Sequence, residues 1–341
     1  MTIFFSGHTF KYEVEGVCKL FFPLIRFTHV YEEVVLPEGE NYLLTRRKRG
    51  RGTTLLWVRA CLDGETRHTH VRLNNDILQY EKECERLLCV LVYRLLSQWL
   101  GVEPSWGILT GVRPVNIIQK ERKAGKTEEE IRSFFQNQYL VSPGKYELAR
   151  LTADVQERFL RQLPERSYSL YVGIPFCASR CSYCSFVSHA ITTKKATDRV
   201  DDYVRLLCVE LEQTAGLARE LGLTLDTIYM GGGTPTALTA AQLRQVTSAI
   251  SAHFDVAHAR EYTIEAGRAD TITPEKLAVI REAGAQRVSV NPQTFNDGVL
   301  QKIGRKHTAR QAEEAYAMAR EAGFDIVNMD FIAGLPGDTY E

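Results

Sequence analysis

The sequence predicts an α/β chain: a partial parallel sheet or barrel of about five β-α units, preceded by a smaller α+β domain. Three observations carry this. From Ser167 onward, short β-rich runs alternate with amphipathic helical stretches. Before that point strand-like runs come first and helical ones follow. A chain of 341 residues, 44% of them hydrophobic, is long enough to bury two separate cores. The expected division is into residues 1–165 and 166–341.

In the first domain, "HTFKYEVEG" alternates Phe10, Tyr12 and Val14 and is expected to form a strand. "TTLLWVRACLDGETRHTHVRL" reads as two alternating runs about a turn at Asp63-Gly64. A long helix is expected from about Asp76 to Leu100, and a second opens at "KTEEE", where Thr127 and Glu130 make a capping-box pair. A third runs through "GKYELARLTADVQERFL". The basic run "TRRKRGRG", Thr45 to Gly52, reads as a solvated hairpin tip, and "WGILTGVRPVN" as a packing segment. His68 and His70 have no carboxylate or cysteine partner nearby in sequence and are taken as structural.

In the second domain, strands are expected in "YSLYVGIP", "DTIYMGGG", "EYTIEAG", "RVSVNPQ" and "DIVNMDFIAGLP", with helical stretches between them. Such alternation implies a parallel sheet, whose ligands sit at the carboxyl ends of the strands. The sequence stops shortly after the fifth strand, so the chain is expected to be a fragment with that strand as an open edge.

A formal net charge of zero gives no general attraction to nucleic acid or to an anionic membrane. No signal-peptide pattern opens the chain, and the longest apolar run is broken by Arg94 and Gln98. A cytoplasmic monomer is expected, with neither membrane nor nucleic acid as partner. In a reducing compartment cysteines serve as ligands, catalytic groups or core residues rather than disulfide halves. Cys18, Cys61, Cys84, Cys89 and Cys208 lie in apolar surroundings and read as small buried hydrophobes.

The remaining three stand apart. "PFCASRCSYCSF" places Cys177, Cys181 and Cys184 directly after the first strand of the second domain. Three thiolates at this spacing can bind three irons of a [4Fe–4S] cube and leave the fourth open. With His189 they also make a tolerable Cys3His zinc set. The second strand ends in "MGGGTPT", where successive glycines let backbone approach a ligand closely. Glu265 ends the third strand, Gln293 ends the fourth, the fifth carries Asp330, and Arg305 lies in "KIGRKH". Polar residues at the ends of several apolar strands describe the floor of one ligand site.

"YVGIPFC-x3-C-x2-C", "GGGTPT", "IEAGRAD", "RVSVNPQTF", "IGRKHT" and "MDFIAGLPGDT", in this order, resemble the radical S-adenosylmethionine enzymes, over residues 167–341. More narrowly they resemble the oxygen-independent coproporphyrinogen III dehydrogenases, in wording the HemZ-like branch. The resemblance implies a partial (β/α)6-type radical SAM barrel and a [4Fe–4S] cluster on Cys177, Cys181 and Cys184. It implies one S-adenosylmethionine held by Tyr171, Gly232, Gly233, Thr234 and Glu265, with Tyr171 and Glu265 beside the reacting groups. Gln293, Arg305 and Asp330 match positions that contact a second S-adenosylmethionine in one branch of the family. The implied reaction is oxidative decarboxylation of coproporphyrinogen III propionates to vinyl groups through a 5′-deoxyadenosyl radical. Its partners would be a tetrapyrrole substrate and an electron donor such as flavodoxin or ferredoxin. Arg180 and Arg305 are candidates to meet substrate carboxylates at the mouth of the site. That branch ends its motif C-x-x-C-x-C, whereas Phe186 stands at the last position here, as in the HemZ and HemW relatives. The HemW relatives resemble haem chaperones, so haem binding without oxidation is the alternative.

Overall fold

A computed structural model describes residues 1–31, 35–37, 39–186 and 188–339. Its contacts divide the chain into two units, Met1–Gln162 and Leu163–Glu341.

The first unit is built around β1 (Thr2–Ser6). The chain leaves it through α1 (Lys11–Phe21), returns as β2 (Thr28–Tyr31), and then forms β3 (Tyr42–Arg49), β4 (Thr53–Leu62) and β5 (Glu65–Asn74). The sheet order is β2-β1-β3-β4-β5, with β1 parallel to both neighbours and β3–β5 an antiparallel meander. Strand alternation sorts the side chains. Ile3 and Phe5 join Val14, Val17, Leu43, Leu56 and Val58 in the main core, while Phe4 packs with Tyr42, Leu44 and Cys61 on the other face. α2 (Tyr80–Leu100) buries Leu88, Val92 and Leu96 in that main core. α3 (Pro114–Lys123), α4 (Glu128–Ser133), a π turn at Phe134–Gln138 and α5 (Pro143–Leu160) close a smaller core around Ile118, Ile131, Phe135 and Tyr146.

The hairpin at Asp63-Gly64 forms as expected. So does the capping box: the Glu130 N–H donates to Thr127 Oγ1 at 3.2 Å, and the Thr127 N–H donates to Glu130 Oε2 at 2.8 Å. Three expectations are corrected. "HTFKYEVEG" is no strand: from Lys11 onward it forms the first half of α1. The buried set there is Val14, Val17 and Cys18, at helical spacing, whereas Tyr12 is 80% exposed. The long helix begins at Tyr80 rather than Asp76. The basic run is mostly strand, since Arg46–Arg49 complete β3 and only Gly50–Gly52 lie between β3 and β4. Arg47 there bonds the Gly7 carbonyl at 2.9 Å and the Glu81 carboxylate at 2.6 Å.

His8 gives this unit a pH dependence. Its Nδ1 accepts from the Phe10 N–H at 3.3 Å and its Nε2 lies 3.1 Å from Thr45 Oγ1, a pairing suited to the neutral ring. Burial, with the Arg47 charge adding to it, lowers the His8 pKa from 6.5 to about 4. A proton therefore binds more tightly to the unfolded chain. The stabilisation is present above pH 6.5 and is lost as pH falls toward 4. The full loss is on the order of 3 kcal/mol. Urea unfolding at the two ends of this window should show it, and His8→Gln should flatten the difference.

The second unit follows the β-α alternation. It contains β6 (Ser167–Ile174), the two-residue strands β7 (Phe176–Cys177) and β8 (His189–Ala190), and α6 (Lys194–Glu220). Then come β9 (Thr224–Gly232), α7 (Ala240–His253), β10 (Glu261–Gly267), α8 (Pro274–Glu282), β11 (Arg287–Val290), α9 (Asp297–Lys302), α10 (Ala309–Glu321) and β12 (Ile326–Asn328). β6, β9, β10, β11 and β12 form a five-stranded, all-parallel sheet in chain order. Leu170, Val172, Ile174, Ile228, Met230 and Ile264 pack with α6, α7 and α8 residues such as Val204, Leu243 and Leu277 in one core. The alternate residues Tyr171 and Tyr229 point away from that core. Between β10 and β11 the register shifts at Glu265/Gly267, a bulge in which Ala266 is the extra residue. Cys208, expected in the core, is only half-buried on α6, its thiol 3.8 Å from the Gln245 carbonyl. No helix among the described residues is long and apolar enough to cross a membrane.

Candidate functional site

The site grows from the end of β6. After Ile174 the chain turns at Pro175 and pairs Phe176 and Cys177 with His189 and Ala190, so the cysteine loop is tied at its base. The turn after β9 runs beside it: the Gly233 N–H donates to the Ile174 carbonyl and the Thr234 N–H to the Phe176 carbonyl, both at 2.8 Å. Thr234 Oγ1 then lies 3.5 Å from Cys177 Sγ. Glycine at 233 is required by contact. A Cβ there would come within 2.6 Å of the Phe176 carbonyl oxygen and 3.0 Å of Cys177 Sγ. Gly232, at φ +104°, makes the preceding bend.

One cavity of about 80 Å³ gathers Cys177, Cys181, Cys184, Gly233, Thr234, Glu265 and Arg305. Arg180 also lines it, while Tyr171, Gly232, Gln293 and Asp330 do not. Tyr171 stacks on Tyr229 with ring centroids 6.0 Å apart, and Tyr229 in turn donates its hydroxyl hydrogen to Glu265. Gln293 and Asp330 meet through backbone: the Gln293 N–H donates to the Asp330 carbonyl at 3.0 Å, beyond the paired part of β11 and β12. Gln293 holds φ +72°, unusual for a residue with a side chain. Asp330 accepts from Asn328 Nδ2 at 2.8 Å.

Burial raises the Glu265 pKa, and the Asp330 charge adds to it; the Tyr229 hydrogen bond opposes them. Arg305 is a correction. It does not line the mouth but sits 8% exposed in the wall, Nη1 donating to the Asn291 carbonyl at 2.7 Å and Nη2 to Tyr183 Oη at 3.1 Å. Arg180 is the exposed arginine of the loop. Besides Tyr229, two groups escaped the sequence reading. Arg268 is 2% exposed and reaches the Ser179 carbonyl at 3.1 Å and Cys181 Sγ at 3.8 Å. Asn291, 8% exposed, lines the cavity with its Oδ1 buried and unpartnered. Both lay inside quoted motifs, but no pattern distinguishes a buried arginine from a solvated one.

The radical SAM superfamily is matched over residues 171–341, half of the chain. The chain belongs to this superfamily. Its cofactors are a [4Fe–4S] cluster and S-adenosylmethionine. The radical SAM unit is the parallel α/β fold described above. An oxygen-independent coproporphyrinogen-III oxidase-like protein HemZ of Bacillus subtilis is 35% identical, over 75% of this chain and 52% of that protein. A haem chaperone HemW of the same organism is 37% identical, over 50% of this chain and 44% of its own length. The radical SAM coproporphyrinogen III oxidase HemN of Escherichia coli is 32% identical over 55% of this chain and 42% of that chain, with a TM-score of 0.46. The chain thus spans about half the length of the curated relatives it matches.

The residues present fit the cluster. Three thiols surround one cavity, a buried guanidinium faces one of the sulfurs, and glycine leaves the space beside another clear. Among the described residues no three His, Cys, Asp or Glu side chains converge closely enough to hold a single metal ion.

Proposed function

We propose that this radical SAM chain is the cluster-bearing part of an oxidoreductase that decarboxylates coproporphyrinogen III propionates to vinyl groups. The observation that carries it is the gathering of Cys177, Cys181, Cys184, Gly233 and Glu265 around one cavity at the strand ends. The 35% identity to the HemZ coproporphyrinogen-III oxidase-like protein supports the substrate class. When bound, the cluster and S-adenosylmethionine supply a carbon radical able to take hydrogen from an unactivated position.

The protein's part is to bind and orient. In this proposal Cys177, Cys181 and Cys184 hold the cluster. Gly232, Gly233 and Thr234 form the wall against which the methionine end of the cofactor rests. Tyr229 engages Glu265 Oε1, and Oε2 is left to accept from a cofactor amine or hydroxyl. Tyr171, stacked on Tyr229, braces the phenol that engages Glu265. Gln293, Arg305 and Asp330 are assigned to a second S-adenosylmethionine, and Arg180 to a substrate carboxylate. A flavodoxin or ferredoxin would deliver the electron.

Haem binding without oxidation is the second reading. It is favoured by the 37% identity to the haem chaperone HemW and by Phe186, which replaces the fourth motif cysteine. The test is anaerobic incubation of the reconstituted full-length protein with S-adenosylmethionine and coproporphyrinogen III. Vinyl products and 5′-deoxyadenosine are expected. Tight haem binding with neither product would replace the first reading by the second.

A further inference from the structure

Arg268 has the geometry of a clamp. It leaves the end of β10 one residue after Gly267, and its side chain is 3% exposed. Nε and Nη2 donate side by side to the two Asp270 oxygens, at 3.0 and 2.9 Å. That leaves Nη1 aimed the other way, at the Ser179 carbonyl (3.1 Å) and Cys181 Sγ (3.8 Å). Removing a guanidinium from water costs several kcal/mol unless its donors are satisfied. Asp270 satisfies one edge only. The other edge is spent on the cysteine loop, whose further ties are Ser182 N–H to the Ile303 carbonyl at 3.0 Å, Ser179 Oγ to the Gly304 carbonyl at 3.2 Å and Arg305 Nη2 to Tyr183 Oη at 3.1 Å.

We infer that Arg268 is a positioning residue of this loop, holding Cys181 through the Ser179 carbonyl and presenting a fixed positive charge to its sulfur. The inference rests on the assignment of the three cysteines to the cluster. Its physical content has two parts. The planar fork, locked by Asp270, sets where the loop stands before any cluster binds. The charge stabilises electron density on the sulfur, and hydrogen bonds and charge at the sulfurs set a cluster's reduction potential.

Two readouts test it. In the metal-free chain, hydrogen exchange of amides 178–183 should quicken about tenfold in Arg268→Gln, with the amides of β9 and β10 unchanged. In the reconstituted chain the cluster should become harder to reduce by about 60 mV, a tenfold change for a one-electron couple. Arg268→Lys keeps the charge and loses the fork, so it should recover the potential but not the loop protection. If Arg268→Gln fails to fold, Asp270→Asn, which unlocks the guanidinium without removing it, should quicken loop exchange about threefold. Wild-type loop exchange together with a wild-type potential in Arg268→Gln would overturn the inference. A wild-type chain that takes up no iron–sulfur cluster refutes the cysteine assignment instead, and loop exchange in the metal-free chain still decides whether Arg268 holds the loop.

Discussion

Cys181→Ala is expected to abolish both iron–sulfur uptake and 5′-deoxyadenosine formation while leaving the fold intact. Only three cysteines line the cavity, so no spare thiol among its lining residues can replace the lost ligand. An iron–sulfur cube normally has four cysteine ligands, and in the proposed site the three cysteines would leave one iron for the cofactor. The backbone ties of the loop survive the substitution, since the Ser182 N–H still reaches Ile303 and the Cys184 N–H still reaches residue 181. Half-buried and in no hydrophobic core, the side chain leaves little cavity behind. Unfolding free energy should therefore change by less than about 1 kcal/mol. Iron and sulfide analysis after anaerobic reconstitution, beside a nucleoside assay, checks the prediction. A brown variant that still cleaves S-adenosylmethionine would show that the cluster sits elsewhere.

Gly233→Ala is expected to cost about 1–3 kcal/mol, the penalty of overpacking, and to impair cluster uptake at the same time. Its new methyl would stand 2.6 Å from the Phe176 carbonyl oxygen, 2.9 Å from the Ile174 carbonyl oxygen and 3.0 Å from Cys177 Sγ. Two of these neighbours are backbone groups engaged by the amides of residues 233 and 234. They cannot swing aside as a side chain can. Relief therefore requires moving the turn or Cys177, and either disturbs the proposed cluster ligand Cys177. Gly216→Ala is the control: on α6 its nearest neighbour is the end of the Arg219 side chain at 4.0 Å. There, alanine should stabilise the helix by about 0.5–1 kcal/mol. Thermal unfolding of both variants separates the two expectations, and a Gly233→Ala chain with full cluster content would refute the first.

The second unit was legible because its β-α alternation is local and periodic, and because motifs at strand ends converge once the strands lie parallel. Cys177 and Gly233 are 56 positions apart in sequence, yet both follow the ends of paired strands. The first unit was harder to read. Phe10, Tyr12 and Val14 mimic a strand over five residues, and only Val17 and Cys18 beyond them reveal the helical period. The basic run reads as a turn because Arg and Lys usually mark solvent; here cation–π and carboxylate contacts hold them along a strand, as with Arg46 over Trp57 at 5.9 Å. Arg268, Asn291 and Tyr229 became visible only in three dimensions. What marks them is burial and direction, which a string of letters does not encode.

The bulge at Ala266 makes spacing matter as much as chemistry. Strand geometry turns successive side chains to opposite faces, and one supernumerary residue resets that alternation before Arg268. Deleting Ala266 would leave each neighbouring letter unchanged yet rotate the arginine away from Ser179 and toward the sheet's other side. Chimeras that graft this turn from a relative should therefore match its residue count first and its composition second.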